Sequence, residues 1–90
     1  MRTPTLKRPA EEFYASCDQR ERQELQRIIN NICEDPRVNN RTIFVLSLPP
    51  AIISVYRDAT YWIAFRLSNA ESLEVHNIAR RGEPERLSRR

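Results

Sequence analysis

Glycine is nearly missing from this 90-residue chain, with Gly82 the only one. A glycine-rich phosphate loop is therefore excluded, because such loops need several residues whose backbone can approach a phosphate closely. Histidine is as scarce: His76 stands alone, and the two cysteines, Cys17 and Cys33, lack the C-x-x-C spacing. No ligand cluster for zinc follows from that set, so neither a metal nor another cofactor is expected. No apolar run approaches the ~20 residues of a membrane span. The opening MRTPTLKRPAEEF is basic but lacks the apolar core of a signal peptide. These absences lead to the expectation of a cytoplasmic protein with two buried free thiols and no membrane partner.

What is present fits a globular chain: 40% hydrophobic and 30% charged residues. The length suits one domain, residues 1–90, with a basic tail from about 82 to 90. The charge is uneven. Residues 80–90 hold five arginines against two glutamates, and residues 1–10 hold Arg2, Lys7 and Arg8 with no acid. The middle of the chain is net acidic. Basic ends suit an anionic partner, with Lys7, Arg80 and Arg86 as candidate nucleic-acid contacts.

Periodicity gives the elements. RTPTLK reads as a short edge strand, since Pro4 is tolerated there. Pro9 opens a brief helix to Ser16, with Phe13 and Tyr14 as anchors. Asp18 to Glu21 is a capping-box pattern. Leu25, Ile28, Ile29, Ile32 and Cys33 then form one apolar helical stripe, which Asp35-Pro36 ends. After an Asn/Arg-rich loop the period becomes two, with strands over Thr42–Leu48, Ala51–Arg57, Tyr61–Ser68 and Leu73–Ala79. The short links RDAT and NAES favour antiparallel hairpins whose turns depend on Asp58 and Asn69. The expected architecture is α+β: an N-terminal strand and a helical hairpin packed on one face of a small antiparallel sheet.

Strand alternation assigns Ile53/Val55, Ile63/Phe65/Leu67 and Leu73/Val75 to the helix-facing side. In a three-strand meander Arg57 ends the first strand and Arg81 follows the third, on the same sheet edge and about 10 Å apart. Without a bulge both share the parity of the apolar row, and two planar guanidinium forks at the rim of the core can clamp one phosphate. Arg80 and His76 then fall on the opposite face. Exposed Trp62, Ile52 or Tyr14 are candidate anchors for a protein partner.

The strand, the helical hairpin ending in "EDP", and then "SVYRDATYWIAFRLSNAESLEVHNIARRGE" together resemble the RelE/ParE superfamily of bacterial toxins from type II toxin–antitoxin pairs, over about residues 5–83. The resemblance implies an acidic antitoxin protein as partner. It also implies one of two activities: metal-independent endoribonuclease action on messenger RNA at the ribosome, or inhibition of DNA gyrase. A degenerate module that only binds its antitoxin is the third possibility. Carried over by position, Arg57 and Arg81 become the catalytic pair, with Arg80 beside them. Two departures count against a complete nuclease site. The strand lysines of RelE-like members fall on Ile53 and Val55, and the tyrosine after the closing arginine has no counterpart in GEPERLSRR.

Overall fold

The computed structural model describes residues 2–47, 50 and 52–81. Its elements run β1 (Thr3–Leu6), α1 (Arg8–Ser16), α2 (Gln19–Glu34), β2 (Ile43–Ser47), β3 (Ile53–Arg57), β4 (Tyr61–Asn69) and β5 (Ser72–Arg80). The five strands form one sheet in the order β1-β5-β4-β3-β2. β2 to β5 make the expected antiparallel meander, while β1 joins β5 in parallel. The parallel pairing follows from the helical hairpin, which carries the chain from β1 to the far edge before the meander returns to it.

Local chemistry sets the helix ends. Pro lies in the first turn of α1, where its missing N–H costs nothing. The Asp18 side chain accepts the Glu21 N–H at 2.9 Å and caps α2. Leu25, Ile28, Ile29, Ile32 and Cys33 are all buried, as the helical stripe requires. They pack with Ile63, Phe65, Leu73, Val75 and Ile78 into one core. Each such side chain contributes about 1.5–3 kcal/mol by leaving water. Both cysteines are free and buried.

The turns use the anticipated residues. Asp58 Oδ1 accepts the N–H groups of Thr60 and Tyr61, each at 2.7 Å, and Asn69 Oδ1 accepts that of Glu71 at 2.8 Å. Asn39 does the same for Arg41, Thr42 and Ile43. Its neighbour Asn40 takes φ 59°, a conformation asparagine tolerates better than most residues.

The faces of β3 and the end of β5 differ from the sequence expectation. Register pairs Ser54 with Phe65 and Tyr56 with Ile63, so Ser54 and Tyr56 face the helices. Ile53, Val55 and Arg57 therefore lie on the opposite, outer face. Val55 is buried there, paired with Phe44 and Ala64, and it stands apart from the main core. In β5 the register slips: Phe65 pairs with Val75 but Ala64 with Asn77, which leaves His76 as the extra residue of a β-bulge. Beyond the bulge the parity of β5 is inverted. Ile78 and Arg80 turn to the helices, while Ala79 and Arg81 turn outward.

Candidate functional site

The inversion sorts the two closing arginines onto different faces. Arg80 pairs across the sheet with Tyr61 and points toward α2. Its Nε donates to Glu21 Oε2 at 2.9 Å, its Nη2 donates to Glu21 Oε1, and its guanidinium lies 4.7 Å from the centre of the Phe13 ring. Tyr61 adds an O–H bond of 2.8 Å to Glu21. The Arg80 guanidinium first, with Tyr61 and Cys17 after it, holds the Glu21 carboxyl at about 2 despite burial. Burial and the Glu21 charge in turn push the Cys17 thiol up to about 11. Glu21 was legible only as half of a capping box. Its carboxylate instead reaches the sheet. Arg80, a candidate nucleic-acid contact expected on the face opposite Arg57 and Arg81, has its charge matched here by Glu21. A cleft of about 400 Å³ beside this pair is lined by Asp18, Glu21, Glu24 and Asp58, with Arg20 the one cation on its wall among the described residues.

The outer face carries the opposite sign. Arg57 ends β3 opposite Trp62, and Trp62 is in turn opposite Ala79. Arg81 follows two residues after Ala79. Its N–H donates to Thr60 O at 2.9 Å, and its side-chain Nη1 donates to Asp58 O at 3.0 Å. The Arg81 side chain thus reaches across the end of β4 to the residue next to Arg57. The Arg57 guanidinium is held 4.9 Å from the centre of the Phe44 ring, a cation–π contact that fixes it without neutralising it. Both arginines are exposed. The sequence placed both on the helix-facing rim; the structure places both on the outer face, with Arg57 turned to Phe44 on β2 and Arg81 to Asp58 beyond the end of β3. Both residues are turned over, Arg57 by the register of β3 and Arg81 by the bulge, so they still share a face.

Further along the same face Arg66 Nη2 donates to Glu74 Oε1 at 3.2 Å. His76 Nε2 lies 3.2 Å from that oxygen without hydrogen-bond geometry. His76 therefore shares the outer face with Arg81, because the bulge inverts the residues that follow it and carries Arg81 over. Burial pushes the Glu74 carboxyl up, but Lys7, Arg66 and His76 outweigh it and hold it below the ordinary range. Lys7 sits at the start of α1, where its N–H donates to Val75 O at 2.8 Å. Arg86 lies outside the described residues. Among the described residues no three His, Cys, Asp or Glu side chains gather closely enough to hold a metal ion. No helix among them is long and apolar enough to cross a membrane.

No family model matches the sequence, and no curated protein matches it. The fold does have a counterpart. A crystal structure of the isolated E. coli RelE toxin aligns over 99% of this chain and 98% of that one, with a TM-score of 0.64 and 13% sequence identity. The chain therefore has the RelE toxin fold, and the strand, helical hairpin and sheet expected from the sequence are those of that scaffold.

Proposed function

We propose that this chain is a toxin of the RelE/ParE superfamily, neutralised by an acidic antitoxin protein, and that it cleaves messenger RNA on the ribosome without a metal. The observation that carries the reading is that the Arg81 side chain reaches back to the main-chain oxygen of Asp58, next to Arg57 at the end of β3, while the exposed Arg57 guanidinium rests on an aromatic ring and keeps its charge. The reaction assigned to them is attack of a ribose 2′-hydroxyl on the adjacent phosphorus, with breakage of the bond to the 5′-oxygen. The products are a 2′,3′-cyclic phosphate and a 5′-hydroxyl. The hydroxyl proton leaves to water, and the departing oxygen takes a proton from water. Arginine stays protonated, so Arg57 and Arg81 stabilise the charge that grows on the phosphoryl oxygens and do not move protons.

A second reading has its own observation. Val55, at a position where RelE-like members carry lysine, is buried against the sheet and offers no charge. That favours a ParE-like inhibitor of DNA gyrase on the same scaffold. One experiment separates the two. The purified chain is added to a translation extract, message ends are mapped, and gyrase supercoiling is followed in parallel. Cut messages with normal supercoiling support the nuclease. Intact messages with blocked supercoiling would replace it with the gyrase reading.

A further inference from the structure

Trp62 is the only tryptophan in the chain. It stands near the start of β4, the central strand of the sheet, on the outer face and is 36% exposed. About a third of its surface is open to a partner, and an indole offers that partner a flat face. Its cross-strand neighbours explain what could. On the β3 side stands Arg57, fixed against Phe44. On the β5 side stands Ala79, whose methyl group is too small to shield a ring. Arg81 lies just beyond Ala79 and bends back to Asp58. The indole thus has one cationic flank and one open flank, with a second cation at the strand end.

We infer that Trp62 is a stacking platform for one unpaired nucleobase of a single-stranded RNA whose backbone phosphate lies on Arg57 and Arg81. This inference rests on the RNA reading above and adds how the strand is seated. The occupant follows from the chemistry of the patch. A flat apolar ring with an arginine on one flank and a second at the strand end matches a nucleotide, which has a flat face and an anionic link side by side. An acidic peptide would satisfy the cations but leave the indole without a flat partner. A duplex hides its base faces, so it would use the arginines and not the ring.

The test uses the full chain and a short single-stranded RNA made uncleavable by 2′-O-methylation. Because Trp62 is the only indole, its fluorescence reports on this position alone. Titration should quench it with the same midpoint as the anisotropy of a dye on the RNA. A duplex of the same sequence should give little quenching. Trp62→Ala should weaken binding of the single strand by roughly tenfold or more, as base–aromatic stacking does elsewhere. Trp62→Phe keeps a ring and should recover most of the loss, whereas Trp62→Leu should not; circular dichroism checks that each variant is folded. RNA that binds by anisotropy without quenching, or that binds Trp62→Leu as well as the parent, overturns the platform and leaves the RNA reading standing. No binding by anisotropy overturns the platform, while the RNA reading itself stands or falls with the message ends mapped in the translation extract.

Discussion

The Arg81 guanidinium donates to the main-chain oxygen of Asp58 at 3.0 Å, one residue from Arg57. That single bond draws the ends of β3 and β5 together across the tip of β4. It uses one donor of Arg81, and a guanidinium has five. The others are available to a phosphate, as is the guanidinium that Phe44 holds at Arg57.

Arg81→Ala should therefore remove cleavage without unfolding the chain. Loss of one well-aimed donor typically slows such reactions by about 10²–10³. Arg81→Lys keeps the charge but loses the fork, so it should recover only part of the rate. Single-turnover cleavage of a model message, with thermal melting as a control, measures both. Wild-type cleavage by Arg81→Ala would remove Arg81 from the site.

Glu21 gives a stability prediction with a definite sign. Its carboxyl is held at about 2 in the folded chain, below an ordinary value near 4.5. A depressed carboxylate stabilises the fold fully above its unfolded pKa, and that stability fades as pH falls toward the folded value. The chain should thus lose stability between about pH 4.5 and 2. Glu21→Gln should be less stable at neutral pH and should show a flatter acid limb. The Arg80 side chain remains 36% exposed, so water screens part of the effect, and a loss of about 1–2 kcal/mol is expected at pH 7. Urea unfolding across that pH window checks the sign. Equal pH dependence in the two proteins would mean the pair contributes nothing.

Much of this arrangement could be read from residue types. The α2 stripe, the Asp18 cap and the Asp58 and Asn69 turns are local signals, and each appears where its chemistry requires. The two sheet faces are not local. Which side Val55 and Arg57 occupy depends on their pairing with Ala64 and Trp62, and no residue within β3 declares that register. The bulge at His76 did leave a trace. Buried residues in β5 step by two from Leu73 to Val75 and then by three to Ile78, so a change of parity before Arg80 was present in the apolar spacing. Glu21 was hidden for another reason: its position in a capping-box pattern supplied a sufficient local role, and only the fold shows its carboxylate bound to Arg80.

Salt dependence distinguishes the two faces. Binding of single-stranded RNA weakens with salt by a slope of about −0.7 per phosphate neutralised. Arg57→Gln and Arg81→Gln should each reduce the magnitude of that slope by about 0.7 or less. Arg80→Gln should lower thermal stability and leave the slope unchanged, since Glu21 already matches the Arg80 charge. A slope that falls with Arg80→Gln would return Arg80 to the RNA-binding surface.

The shared phosphate is tested most directly by a double-mutant cycle on cleavage, with Arg57→Ala, Arg81→Ala and the pair measured under single-turnover conditions. Two arginines that act on one phosphoryl group should be strongly non-additive, with the double variant little slower than the worse single one. Losses that simply multiply, with each arginine acting as though the other were absent, would contradict convergence on a common phosphate.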